Sequence, residues 1–178
     1  QERWFLMEVT PIRGHRGCLV AHIDVTEMKQ AEAATRASEA LFRSLFELSP
    51  DPITLSDLDT GHLLQVNPAW CDLVGIPREG ALGRSSTELG TWEDPSEREA
   101  VIIELRRTGR VEARSATLRT ARGETRPMMF TARLIDLLGR RCVLVMAKNL
   151  TGFLQAQEAL RASEARFRLL AENARDLV

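Results

Sequence analysis

The feature that most constrains this chain is an internal repeat. Residues 24–53 and 149–178 align without a gap at an offset of 125 residues (149 − 24). The run Arg-Ala-Ser-Glu-Ala at 36–40 recurs at 161–165. A fixed period of one domain length, with a helical run at each seam, is typical of tandem domains joined by helices. The chain is therefore expected to hold the end of one unit, one complete unit and the start of a third.

The offset also orders the regions upstream of the repeat. Phe5, Gly14, Arg16, Leu19 and Val20 fall opposite Phe130, Gly139, Arg141, Leu144 and Val145. We predict that residues 1–25 are the closing hairpin of a truncated unit, with a turn around Gly14 and Gly17. Residues 26–48 are predicted to form a linker helix and residues 49–151 a complete domain core. Residues 152–178 would form a second linker helix and begin a third unit.

Composition excludes several classes of function. The net charge is −1 and the pI is near 6.4, so no basic field favours a nucleic-acid partner. No stretch approaches the roughly 20 apolar residues of a membrane span. A cytoplasmic location is expected, and membrane attachment of the parent protein is left open. Cys18, Cys71 and Cys142 lack metal-ligand spacing and are interpreted as buried small hydrophobes in a reducing compartment. The three histidines form no spaced cluster, so no metal site is predicted.

Each linker helix carries a seam of apolar and small residues at alternating spacings of three and four, which in the first helix begins with Met28, Ala31 and Thr35. Ala, Glu, Gln, Arg and Leu, which favour helix, dominate from Thr26 to about Leu48. The spacing matches a heptad seam and predicts a homodimer through a parallel helix pair. The alternatives are a solvent-exposed linker helix and a helix packed on its own domain. The predicted seam residues are Met28, Thr35, Phe42, Leu45, Phe153, Leu160, Phe167 and Leu170.

Between the linkers, strand and cap signals define the complete unit. Two short strands, at 53–56 and 62–66, precede Asn67-Pro68, an N-cap followed by proline at the first helical position. Asp94-Pro95 with Glu97 repeats that device as a capping box, for a helix that ends at Gly109. Three further strands are predicted at 111–120, 124–137 and 141–148. The simplest closure is an α+β fold, one five-stranded antiparallel sheet with short helices over one face.

The ordered motifs resemble those of PAS domains. Val66-Asn67-Pro68-Ala69-Trp70 is similar to the "NpAf" core motif, and Thr91-Trp92-Glu93-Asp94-Pro95 through Gly109 resembles the "W.DP…G" helix. Asn149-Leu150-Thr151 resembles the closing D-I-T triplet of the family, and Asp24-Val25-Thr26 is closer to it. The resemblance covers about residues 39–151. It departs at Asn149, where Asp is usual, and at Ile76, where an aromatic residue often stands.

The resemblance implies a sheet ordered 2-1-5-4-3 and a pocket beneath the helices. It also implies a sensory, signal-relay module of a multi-PAS bacterial protein, which passes ligand- or partner-induced changes through its linkers. Neighbouring PAS units and a downstream histidine kinase or diguanylate cyclase would be its partners. Asp24, Thr26, Asn149 and Thr151 would be the relay residues. The alternative is a dimerisation and spacer module with a filled core and no ligand.

No catalytic constellation is recognisable, so the chain itself is not expected to be an enzyme. The helix at 95–108 contains no histidine for haem, and Cys71 lies outside the helix in which blue-light relatives carry their flavin-reactive cysteine. Haem and covalent flavin are therefore disfavoured, and the cofactor is left open. Trp70, Trp92, Phe130 and Met146 are the candidate pocket residues, although plain core is an equal interpretation. A cavity of about 300 Å³ or more would favour a sensor.

Overall fold

The computed structural model of the chain describes residues 2–11, 13 and 18–175, with side chains described as far as Arg168. The chain divides into two compact units, residues 1–46 and 47–178. The turn predicted around Gly14 and Gly17 lies outside the described residues.

The first unit contains a hairpin and most of a long helix. Strands β1 (Phe5–Pro11) and β2 (Cys18–Asp24) pair antiparallel, and helix α1 spans Thr26–Leu48, as predicted. Every residue of both strands is exposed. A lone two-stranded sheet offers no second layer against which to bury a face, so its apolar side chains remain in contact with solvent.

The second unit is built on one five-stranded antiparallel sheet. Its strands are β3 (Ile53–Asp57), β4 (Leu63–Val66), β5 (Arg110–Arg119), β6 (Thr125–Leu137) and β7 (Arg140–Asn149). The helices are α2 (Pro68–Val74), α3 (Arg78–Ala81), α4 (Pro95–Thr108) and α5 (Thr151–Arg175). The strand order is β4-β3-β7-β6-β5. Numbered within the unit, this is 2-1-5-4-3, so the predicted fold class is confirmed.

The cross-strand pairs correct the upstream alignment. Met7 pairs with His22, and Phe130 pairs with Ala147. The residue numbers of His22 and Ala147 differ by 125 (147 − 22), whereas those of Met7 and Phe130 differ by 123 (130 − 7). The alignment of Phe5 with Phe130 is therefore wrong, because Met7 occupies the equivalent position in the hairpin. The offset of 125 holds for β2 and not for β1.

Side-chain caps and glycines set the helix boundaries. The Asn67 side chain accepts a hydrogen bond from the Trp70 N–H at the start of α2, and Asp94 accepts one from Ser96 at the start of α4. Gly109 ends α4 with φ 73°, a left-handed conformation that glycine adopts without strain. The capping box predicted with Glu97 is not formed. The Oε2 atom of Glu97 is buried and has no hydrogen-bond partner among the described residues.

Two apolar clusters form the core. The larger lies between α4 and the sheet, with Leu105, Phe130 and Val143 among its members. The smaller joins α2 to β4 and includes Trp70. Among the cysteines, Cys142 is buried, Cys71 is half-buried and Cys18 is exposed. The interpretation of all three as buried hydrophobes is therefore right only for Cys142.

Candidate ligand cavity and its exit strand

A cavity of about 100 Å³ lies between α4 and one face of the sheet. Helix α4 contributes Val101, Ile102 and Leu105, and the strands contribute mainly apolar side chains to the opposite wall. This volume is below the ~300–1,000 Å³ of pockets that hold drug-sized ligands. It exceeds the ~10–15 Å³ needed for one water molecule. The lining also includes Leu63, Leu118, Met128, Phe130, Val143, Val145 and Ala147.

Three of the four predicted pocket residues line this cavity. Trp92 and Phe130 meet edge to face, with ring centroids 5.8 Å apart and an interplanar angle of 89°. Trp70 lines the cavity from α2, where it is also part of the smaller core cluster. All three aromatic side chains therefore line the cavity, and their contact with a ligand stays a prediction.

Met146 does not line the cavity, and this expectation is wrong. Its neighbours Val145 and Ala147 both line the wall. Successive side chains of a strand point to opposite faces of the sheet. Met146 therefore projects from the other face, where 48% of its surface is exposed.

A polar cluster at one end of the cavity includes a residue that the sequence reading missed. The Arg98 Nε–H donates to Ser86 Oγ at 3.0 Å, and the Trp92 Nε1–H donates to the same oxygen at 3.1 Å. Gly61 has φ 74°, and a Cβ at that position would lie 2.5 Å from Arg98 Nη2. Glycine at residue 61 therefore makes room for the guanidinium, which lies against the turn between β3 and β4.

Asp57 is a second polar residue that sequence reasoning missed, and it has a structural role. Its Oδ1 accepts hydrogen bonds from Asp59 N–H and from both the N–H and the hydroxyl of Thr60. Its Oδ2 accepts from Arg140 Nε at 2.6 Å. Hydrogen bonds from Thr60, followed by that from Arg140, hold the pKa of the carboxyl well below its usual range. Asp57 thus ties the β3–β4 turn to the start of β7.

The two closing triplets form the same cap with different surroundings. Thr26 N–H donates to Asp24 Oδ1 at 2.9 Å, and Thr151 N–H donates to Asn149 Oδ1 at 2.9 Å. Hydrogen bonding by Thr26 also lowers the pKa of Asp24. These four residues are the predicted relay residues, and their function in signalling stays a prediction.

The hydroxyls of Thr26 and Thr151 differ in their hydrogen-bond partners because Pro127 stands where the first hairpin has Trp4. Thr26 Oγ1 accepts a hydrogen bond from the Trp4 N–H at 2.9 Å. Thr151 Oγ1 is buried and has no partner among the described residues. Val25 N–H donates to Trp4 O, and Leu150 N–H donates to Pro127 O, so Pro127 occupies the position of Trp4. Proline has no backbone N–H to donate.

A comparison with protein families now identifies the fold. The family model described as PAS domain matches residues 50–161. The chain belongs to the PAS domain family. Members of this family are sensory rather than catalytic modules. This PAS domain is a sensory domain of the kind found in signalling proteins.

Solved PAS domains share the architecture at low sequence identity. One, from a two-component sensor histidine kinase, has a TM-score of 0.56 at 16% identity and covers 65% of this chain and 98% of its own. Another, the PAS domain of a LuxR-family transcriptional regulator of Burkholderia thailandensis in complex with ethanol, has a TM-score of 0.52 at 18% identity. It covers 62% of this chain and 97% of its own. Both show likeness of fold alone.

A longer protein also contains a region like this one. The uncharacterized protein y4lL of Sinorhizobium fredii is 32% identical over 155 residues, which are 85% of this chain. The chain spans only 18% of the length of that relative.

The linker helices of the PAS chain leave most of their predicted seam exposed. The exposed members of α1 are Met28, Thr35, Phe42 and Leu45, and those of α5 are Phe153, Leu160 and Phe167. The side chain of Leu170 lies outside the described residues. Thr35 donates its hydroxyl proton to Ala31 O within its own helix. The seam therefore stays a prediction, with its apolar side chains in contact with solvent in the single chain.

Neither a membrane-spanning helix nor a cluster of metal ligands occurs in the described part of the PAS chain. None of its helices is both long and apolar enough to cross a membrane. No three His, Cys, Asp or Glu side chains within the described ranges are grouped as metal ligands. Burial raises the pKa of the Cys71 thiol, which makes it a poor nucleophile.

Proposed function

We propose that this PAS domain senses a small ligand and relays the change through its exit helix to an output domain. The observation that carries the proposal is the course of β7. Val143, Val145 and Ala147 form part of the cavity wall, and two residues further along Asn149 caps α5. A shift of β7 in response to a ligand would therefore move the start of the helix that leaves the domain.

The size of the cavity limits the ligand and keeps the alternative open. A volume of about 100 Å³ is a third of the size at which a sensor was expected, so the ligand would be small. The ethanol bound by the Burkholderia thailandensis PAS domain is a ligand of that order. The same small volume favours the second candidate, a ligand-free spacer and dimerisation domain with a nearly filled core.

We propose that the parent protein contains several PAS units. The hairpin β1–β2 with its Asp24–Thr26 cap repeats β6–β7 with its Asn149–Thr151 cap, and its exposed strands lack the sheet that accompanies the second hairpin. A bacterial sensor histidine kinase or diguanylate cyclase is the expected parent. The histidine kinase origin of a similar PAS domain supports the first of these outputs.

Dimerisation through the linker helices completes the proposed relay. Phe42 and Leu45 on α1 and Phe153 and Phe167 on α5 each expose more than half of their surface. Pairing with a second copy would bury these side chains, each worth up to about 1.5–3 kcal/mol when fully buried. A paired helix could then transmit a small rotation between neighbouring units.

Helix phase in the parent protein tests the relay. Deleting seven residues from α5 removes two whole turns of a 3.5-residue coiled-coil repeat and keeps the seam aligned, whereas deleting four rotates it by about 50°. We expect the seven-residue deletion to preserve regulated kinase or cyclase output and the four-residue deletion to uncouple it. The corresponding deletions in α1 should have the same two effects: seven residues preserve the output and four residues uncouple it. Equal output from the two deletions would exclude a phase-dependent relay.

A further inference from the structure

We propose that the ligand of this cavity is a small organic anion, a short-chain carboxylate that binds Arg98 and Ser86. This inference rests on the proposed function, because it requires that the cavity binds a ligand. It adds the chemical class of that ligand, which family membership does not supply.

Arg98 differs from the other half-buried arginines of the domain in having no acidic partner. Each of the others has a carboxylate oxygen within hydrogen-bond distance. Arg98 has no carboxylate oxygen within 4.0 Å among the described residues. A partly buried guanidinium loses hydration and is stabilised by a paired anion. The paired arginines are Arg78 with Glu47 at 2.6 Å, Arg114 with Glu104 at 3.1 Å, Arg126 with Glu124 at 2.5 Å and Arg133 with Glu112 at 2.9 Å.

The hydrogen bonds at this end of the cavity leave donors without acceptors. Arg98 uses only its Nε–H, toward Ser86, so its two terminal nitrogens have no acceptor among the described residues. Ser86 Oγ accepts from both Arg98 and Trp92, which occupies its two lone pairs. Its hydroxyl proton is therefore free to donate and has no acceptor within the described ranges. A carboxylate has two acceptor oxygens and satisfies both groups.

The rest of the cavity sets the size and polarity of the ligand. Beyond Arg98 the lining includes Val101, Ile102, Leu105 and Phe130, which suit an alkyl chain. An apolar cavity of about 150 Å³ holds benzene, which has six carbon atoms, so about 100 Å³ has room for about four. The four carbon atoms of butyrate match that number, with its carboxylate oxygens hydrogen-bonded to Arg98 and Ser86.

Butyrate and its neutral isostere butyramide test the charge of the ligand. The 15N-labelled chain is titrated with each at constant pH and ionic strength. The probe is the indole N–H resonance of Trp92, assigned through its loss in Trp92→Phe, because this group shares Ser86 with Arg98. We expect a saturable shift with butyrate. The dissociation constant of butyramide should be higher than that of butyrate by about tenfold or more.

Two arginine variants on one helix supply the control. Arg98→Gln should weaken butyrate binding about tenfold or more and abolish the preference over butyramide. Arg107→Gln should leave both unchanged, because Arg107 is exposed and also lacks a carboxylate partner among the described residues. Arg98→Lys, which keeps the charge, should retain part of the preference. The full amide spectrum of each variant checks its fold.

The outcomes separate this inference from the proposed function. Equal binding of butyrate and butyramide, or unchanged butyrate binding in Arg98→Gln, would overturn the anion while leaving the cavity as a ligand site. Saturable binding of butyramide without binding of butyrate would also overturn the anion and leave the cavity as a ligand site. If neither compound nor ethanol gives a saturable shift, both the anion and the small-ligand sensor are wrong.

Discussion

Replacing Asn67 by alanine should destabilise the domain far more than the loss of an ordinary helix cap. The side chain of Asn67 is 0% exposed. Its Oδ1 accepts from the N–H groups of Ile53 and Trp70 at 2.9 and 3.0 Å, and its Nδ2 donates to Asp51 O at 2.9 Å. This one side chain therefore joins the start of β3 to the first turn of α2.

The magnitude follows from the groups that would be left without partners. Each buried polar group that loses its partner costs about 1–3 kcal/mol. The Ile53 N–H loses its acceptor, whereas the Trp70 N–H keeps the backbone carbonyl oxygen of Asn67, 3.2 Å from its nitrogen. The Asp51 carbonyl belongs to an exposed residue and can be hydrated, so it adds less. We expect Asn67→Ala to lower the free energy of unfolding by about 2–3 kcal/mol, compared with about 1 kcal/mol for a typical cap.

Urea unfolding followed by tryptophan fluorescence measures this change, with Asn149→Ala as the matched control. Asn149 caps α5 through one exposed hydrogen bond, to Thr151 N–H, and its loss should cost no more than about 1 kcal/mol. If the two variants lose equal stability, the three side-chain hydrogen bonds of Asn67 do not hold β3 to α2 as argued.

Three further changes test local features of the fold. Because the folded-state pKa of Asp57 is depressed, its contribution to stability is present above about pH 4 and is lost as the pH falls below that value. Acid titration of the free energy of unfolding should therefore be shallower for Asp57→Asn, and an unchanged slope would contradict this. Leu138 is fully exposed in the β6–β7 turn with φ 54°, so Leu138→Gly should raise the thermal midpoint, and a lower midpoint would argue against strain there. Thr151→Val removes a buried hydroxyl without a described partner and should leave urea stability unchanged or raise it by up to about 1 kcal/mol, whereas a loss above that would reveal a partner.

The helix boundaries could be predicted because they depend on local chemistry, whereas the strand order was implied by the resemblance to PAS domains. Asn67-Pro68 and Asp94-Pro95 each begin a helix where the sequence indicated, and Gly109 ends one. Such signals need only neighbouring residues, since caps and left-handed glycines satisfy backbone groups within one turn.

The face of β7 could not be predicted, because the strand carries no alternation. Residues 142–147 are all apolar, so nothing in the run distinguishes the cavity face from the opposite one. The phase comes from pairing with β3 and β6, in which Met146 lies opposite Ile53 and Thr131. The Asp57–Arg140 pair was missed for a different reason, because its members are 83 residues apart in the chain and only the folded sheet brings them together.

Arg98 was missed although the sequence carries a signal for it. Residues 98, 101, 102 and 105 recur at spacings that place them on one face of a helix. Val101, Ile102 and Leu105 line the cavity from this face, and Arg98 begins the same row one turn earlier. A charged residue in register with a buried stripe is a candidate for a polar group at a cavity.

Amide chemical shifts along β7 and into α5 test the central claim most directly. The claim is that occupation of the cavity is felt at the first turn of the exit helix. On titration with ethanol and, separately, with butyrate, we expect the Val143, Val145 and Ala147 amides to shift together with that of Thr151, along one saturation curve. Shifts that stop at Ala147 would mean that the ligand binds without reaching the helix. If neither ethanol nor butyrate shifts any of these amides, the result would contradict the sensor itself and favour the spacer.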